Sequence, residues 1–174
     1  MSDHPKKSQN QLLEDLRDSL PKESFSHDTL LEALRQGIEV CPFNRLLGMQ
    51  IQSLSANEAC IKIQMKDELV GNQIKGILHG GVISSVLDVT GSMAATVGIL
   101  EEMKGLSIED IVERSLKVST LNLRIDYLRP GHGRFFLATA SVLRPGSSVS
   151  VARMELHNDQ QQLIAVGTGT YRVG

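Results

Sequence analysis

One carboxylate stands in an unusual place. Asp88 lies in the run Gly76–Leu100, GILHGGVISSVLDVTGSMAATVGIL, a stretch with no Lys, Arg or Glu. An ionised Asp among apolar neighbours is costly to desolvate unless it is hydrogen-bonded or paired, and that cost suits it to take up a proton as a general base. The structural alternative is an Asp satisfied within a hydrogen-bond network, or one lying on an exposed edge of its helix. Ser84 and Ser92 stand four residues to either side and share its helical face. A carboxylate and a hydroxyl one turn apart can hold a water between them. His79-Gly80-Gly81 opens the run, and glycine lets a backbone approach a ligand without a Cβ in the way. Unpaired N–H groups at a helix N-terminus favour negative charge, including the oxyanion that develops on a thioester or ester carbonyl.

These groups need a helix to position them. Val82, Val86, Val89 and Met93 recur at helical spacing, while Ile83, Leu87, Ala94, Val97 and Leu100 fill other faces. A helix apolar on nearly all sides belongs inside a core. Its length approaches that of a membrane span, but an Asp, a His, several Ser and Thr and the internal glycines favour a buried helix. Gly80 and Asp88 are eight residues apart, about 12 Å of helical rise. A base and an oxyanion donor must both lie within about 3 Å of the reacting atoms. One helix therefore cannot supply both to one carbonyl, whereas two antiparallel copies can. A hydrolytic site built from these residues implies an obligate dimer with two composite sites.

The stretch LHGGVISSVLD resembles the helix-opening motif of hotdog-fold acyl-CoA thioesterases, whose members carry HGG and, nine residues after the His, an Asp or Glu. His79 and Asp88 have that interval. The resemblance extends over roughly Pro42–Gly174, including YLRPG at Tyr127–Gly131, and is strongest to PaaI-like medium- and long-chain acyl-CoA thioesterases. It implies an α+β hotdog fold, an antiparallel sheet wrapped around one long helix, with acyl-CoA as substrate and a homodimer or a dimer of dimers as the assembly.

Residue by residue, the resemblance makes Asp88 the general base on water or the nucleophile on the thioester. It makes Gly80 the oxyanion donor, with the acid supplied by the other subunit. Ser92 matches a hydroxyl that helps position the water. Gln73, six residues before the His, matches an Asn or Gln that contacts the thioester or the water, and Asn72 lies one residue off that register. His79 is expected to hold the helix start, beside Gly81. Arg129, Arg144, Gly146 and Ser147, in two Arg-Pro-Gly turns, are candidates for the coenzyme A phosphates, since such turns offer cationic groups and free N–H groups. The alternative for these arginines is a solvated turn. No cofactor is implied.

Composition sets the frame. A chain of 174 residues, 41% apolar and 22% charged, suits an ordinary globular domain with a core of its own. A net charge of −2 and 3% aromatic residues give no footprint for nucleic acid. MSDHPKKSQN is followed by no signal-peptide core, and the expected location is cytoplasmic. Cys41 and Cys60 have no CxxC spacing and read as buried thiols. The five His are scattered, so no metal is expected.

In chain order, residues 1–41 read as a polar tail and two accessory helices, and residues 42–174 as the hotdog domain. Leu12, Leu13, Leu16 and Leu20 predict a first helix limited by Pro21. Ser26, with Phe25 and Leu30, predicts the start of a second. PFNRLLG reads as a short turn or helical turn, Met49–Ala56 and Ala59–Lys66 as strands, and Asp67–Lys75 as an irregular approach to the long helix. Glu101–Leu116 reads as an inserted lid or connector, with a capping box at Ser107–Asp110. A meander follows: Leu121, Leu123, Ile125 and Tyr127 alternate with polar residues as one buried face, then come Arg134–Leu143, Val149–His157 and Leu163–Arg172. Arg124 and Asp126 are placed to pair. The other readings of the fold are a non-catalytic acyl-CoA sensor and a hotdog enoyl-CoA hydratase or dehydratase. Hydrolysis, tight binding without hydrolysis, and hydration of an enoyl-CoA tell the three apart.

Overall fold

The computed structural model describes residues 27–55, 58–102, 111, 114–115 and 117–174. The predicted helix around Leu12–Leu20 and the capping box at Ser107–Asp110 lie outside these residues, as does most of the 101–116 connector.

Helix α1 (His27–Val40) turns Leu31, Leu34 and Ile38 onto the core, and its Arg35 donates to the Ile51 carbonyl at 3.3 Å. The predicted cap at Ser26, with Phe25, lies outside the described residues. Helix α2 (Pro42–Leu47) follows directly, with Pro42 at its first turn, where a missing N–H costs nothing. The buried Asn44 ties the two helices together by donating from Nδ2 to the Ile38 carbonyl at 3.0 Å. The accessory element thus packs on the first strand's end of the sheet.

Among the described residues eight strands follow, with one long helix between them: β1 (Gln50–Leu54), β2 (Ala59–Gln64), β3 (Val70–Asn72), β4 (Ile77–Leu78), α3 (Gly80–Glu102), β5 (Ser119–Tyr127), β6 (Phe135–Arg144), β7 (Val149–Asn158) and β8 (Leu163–Arg172). Six of them form one antiparallel sheet in the order β1-β2-β6-β7-β8-β5. The segment expected to be irregular is more ordered than its sequence suggests. It holds a short 3-10 turn at Asp67–Leu69 and the two-stranded ribbon β3–β4.

The sheet wraps α3, as the hotdog resemblance implies. Val86, Leu87, Ala95 and Val97 are wholly buried, and each large aliphatic among them contributes roughly 1.5–3 kcal/mol. The inward face of the central strands sets small residues, Ala138 and Ala140, Ala152, then Ala165, Gly167 and Gly169, between the larger Phe136, Met154, Leu156 and Tyr171. Small side chains there let a thick helix lie close to the sheet. The helix that could by length and composition cross a membrane, Gly80–Leu100, is this core helix.

One expectation for β5 is corrected. Leu121 does not join Leu123 and Ile125 on the buried face, being 57% exposed, and Tyr127, although in phase with them, is 53% exposed. The register against β8 shifts between Thr120 and Asn122, so Leu121 is the extra residue of a β-bulge. The bulge reverses the alternation for everything before it. Thr120 therefore faces the helix together with Tyr127, seven residues on.

Candidate active site

The approach to the site is tied down by hydrogen bonds to the backbone. Asn72 Oδ1 accepts from the N–H groups of Ile74 and Lys75, both at 3.1 Å, closing the β3–β4 turn. Its carboxamide oxygen is thereby committed to the backbone, while Gln73, next along, is exposed and makes no side-chain hydrogen bond among the described residues. Leu78 N–H donates to Gly131 and His79 N–H to Leu69, each at 2.9 Å. Gly71 is required here, because a Cβ at that position would sit 2.6 Å from the His79 Cα.

His79 then starts the helix. Its carbonyl accepts from Val82 and Ile83, and its Nδ1 accepts from the Gly81 N–H at 2.8 Å. A ring nitrogen used as an acceptor carries no proton, so the neutral imidazole keeps its proton on Nε2. This is the work of a capping side chain. With those three donors satisfied, the Gly80 N–H is left without a partner among the described residues. Tyr127 holds the next peptide group, its hydroxyl donating to the Gly80 carbonyl at 3.0 Å.

Two turns along, Asp88 is half-buried. Thr120 Oγ1 donates to its Oδ1 at 2.9 Å, and the Tyr171 hydroxyl donates to its main-chain carbonyl at 3.2 Å. Burial, then the charge of Asp88 and a hydrogen bond to it, push the Tyr171 phenol above the ordinary tyrosine range. Ser92 is half-buried, and its hydroxyl makes no hydrogen bond among the described residues. Ser84, expected on the same face, is committed elsewhere: it and Ser85 donate back to the Gly81 carbonyl. Asp88 and Ser92 are thus one turn apart on a face that the sheet leaves partly open.

Gly80 lies against Tyr127 and Asp88 against Thr120. The helix accordingly runs antiparallel to β5, and the two groups lie near opposite ends of one edge strand. The two Arg-Pro-Gly turns are also separated. Arg129 donates from Nη1 to Leu163 O at 2.8 Å, at the start of β8, whereas Arg144 pairs with Val151 next to the rung that joins Ser150 to Tyr171. The length of β8, roughly 25–30 Å at strand rise, lies between them. One subunit does not bring Arg129 together with Arg144, Gly146 and Ser147. Arg124 and Asp126 do pair, at 3.2 Å. Cys60 is buried, while Cys41 is only partly so; burial, then the charge of Glu58, pushes the Cys60 thiol up.

Thr120, Tyr127 and Tyr171 were not identified from sequence. Tyr127 could have been, since it alternates in phase with Leu123 and Ile125. Thr120 is out of phase until the bulge is known, and Tyr171 reaches Asp88 from 83 residues away.

A long helix clasped by an antiparallel sheet, with an N–H at its start unpartnered among the described residues and a carboxylate two turns on, is the arrangement that the hotdog thioesterase resemblance implies. The chain belongs to the thioesterase superfamily, whose family model matches residues 75–165. It is 44% identical to the medium/long-chain acyl-CoA thioesterase YigI of Escherichia coli over 76% of this chain and 86% of that one. A Shewanella oneidensis crystal structure described as related to the thioesterase superfamily is 43% identical, with a TM-score of 0.83, covering 85% of this chain and 97% of that one. A candidate thioesterase from Syntrophus aciditrophicus is 40% identical, with a TM-score of 0.76 over 84% and 97%.

Proposed function

We propose that the protein hydrolyses medium- to long-chain acyl-CoA at two sites shared across a homodimer. The observation that carries this reading is the placement of Gly80 and Asp88 at opposite ends of β5, an edge strand of the sheet. An antiparallel β5–β5 pairing exchanges the ends, so that Gly80 of one chain meets the partner subunit's Asp88. The same exchange brings the Arg129 end of one chain toward the Arg144–Ser147 end of the other, where both turns can serve one coenzyme A.

In the site so formed, the thioester carbonyl accepts the Gly80 N–H. A water between Asp88 and Ser92 gives its proton to the carboxylate as its oxygen attacks the carbonyl carbon. The oxyanion collapses, the C–S bond breaks, and the departing thiolate recovers the proton. Direct attack by the Asp88 carboxylate starts from the same position, forming a mixed anhydride as the C–S bond breaks and the thiolate leaves, and water then hydrolyses the anhydride to free acid and Asp88. Gln73, exposed on the ribbon next to the helix start, is free to contact the thioester or the water, and Thr120 fixes the carboxylate.

The test is hydrolysis of an acyl-CoA series from acetyl to palmitoyl, followed with a thiol reagent, for wild type and Asp88→Asn. Wild type is expected to release CoA with a dependence on chain length, and the variant to lose about 10²–10⁴-fold in turnover while keeping its dimer mass by light scattering. Comparable turnover in the variant sinks the assignment. Tight acyl-CoA binding by a wild type that releases no CoA replaces it with the sensor reading.

A further inference from the structure

One rung of the sheet grips Asp88 at two atoms. Thr120 and Tyr171 are direct partners across β5 and β8. Thr120 takes the carboxylate Oδ1 and Tyr171 the main-chain carbonyl. The second bond is not needed to make a helix, because the Asp88 carbonyl already has its place in the regular ladder and offers Tyr171 a further lone pair. Nor is it a chance contact. Tyr171 is 0% exposed, and a buried phenol requires a partner.

Space for that partner is made by missing side chains on two different elements. A Cβ at Gly91 on the helix would run into the Tyr171 hydroxyl, and a Cβ at Gly169 on β8 would run into its hydroxyl and ring. Met154 closes the slot, its sulfur 2.9 Å from where a Gly91 Cβ would lie. The ring fills this slot while the hydroxyl crosses to the helix one turn before Ser92.

We propose that Tyr171 is a positioning residue, which sets the height and tilt of α3 at Asp88 so that the carboxylate stands at the right distance from a thioester carbonyl. This rests on the reading of Asp88 as base or nucleophile. A core tyrosine that only fills space could be replaced by phenylalanine without effect on turnover, and that is the distinction to test. A group that aims the carboxylate acts in the transition state, whereas coenzyme A and acyl-chain contacts set KM.

The experiment is steady-state hydrolysis of the acyl-CoA that wild type turns over fastest, with wild type, Tyr171→Phe, Gly91→Ala and Asp88→Asn compared per folded molecule at 25 °C. Tyr171→Phe keeps the ring and loses the hydroxyl, and its kcat is expected to fall about three- to tenfold with KM within about twofold, the scale of one hydrogen bond. Gly91→Ala keeps the hydroxyl but displaces it from Asp88, and it is expected to give the same split. It stands in for Tyr171→Phe should that variant not fold. An unchanged kcat in Tyr171→Phe, or a change confined to KM or to the folded fraction, overturns the proposal. If Asp88→Asn is inactive while Tyr171→Phe is normal, this inference alone fails; if Asp88→Asn remains active, the reading beneath it fails too.

Discussion

Three hydroxyls surround Asp88, and they differ in what they are free to do. Thr120 is committed to Oδ1, Tyr171 to the main chain, and Ser92 to nothing among the described residues. A hydroxyl without a partner one turn from a carboxylate is placed to hold a water; one already bonded to the carboxylate holds the carboxylate. The two roles predict different mutational patterns. Ser92→Ala is expected to cost about ten- to hundredfold in kcat, the range of acid–base assistance. Thr120→Val keeps the shape and removes the donor, costing about threefold to tenfold, and Thr120→Ser is expected to recover most of that loss because it restores the hydroxyl. A Thr120→Ser variant as slow as Thr120→Val shows instead that the threonine methyl matters and the hydrogen bond does not. Kinetics of the four proteins at saturating acyl-CoA settle the point.

Among the elements, α3 was legible and its supports were only partly so. The helix announces itself because its chemistry and its periodicity occupy the same run, His79 to Leu100, where neighbours in sequence are neighbours in space. The strands of the meander were legible for the same reason, through alternation and Arg-Pro-Gly turns. What sequence could not yield was the bulge at Leu121 and the rung joining Thr120 to Tyr171, since both are settled by pairing between strands far apart in the chain. Nothing in STLNLRIDY marks one residue as extra. The rung has a consequence for stability. Tyr171 holds its proton more tightly when folded than an exposed tyrosine does, so its contribution is complete below the unfolded value of about 10 and is lost as pH rises from there toward the raised folded value. Thermal unfolding between about pH 8 and 11 is expected to show Tm falling more steeply for wild type than for Tyr171→Phe in the upper part of that range. Parallel curves count against a protonated, buried phenol at this position.

At the scale of the whole molecule, the shared-site reading makes a demand that no single-chain site can meet. Two inactive variants, each lacking a different half of the machinery, must restore activity when their subunits mix. Asp88→Asn removes the base. For the other half, Gly80→Pro removes the N–H, and Gly80 is the first residue of α3, the position where proline is tolerated because no helical hydrogen bond is lost. Space there is adequate, since a Cβ at Gly80 would meet the Tyr127 ring at an ordinary 3.5 Å. Each homodimer then has two defective sites. In a mixed dimer, one site joins the intact Gly80 of the first chain to the intact Asp88 of the second, and the other site has neither. With random exchange, half the dimers are mixed and half their sites work, so the expected recovery is about a quarter of the wild-type specific activity. The measurement is CoA release after co-refolding equal amounts of the two variants, with each variant refolded alone as the control. Recovery near that level means that the oxyanion donor and the base come from different chains. No recovery, from a preparation shown by mass to contain mixed dimers, means that each chain builds its site alone and that the edge-strand geometry has another purpose.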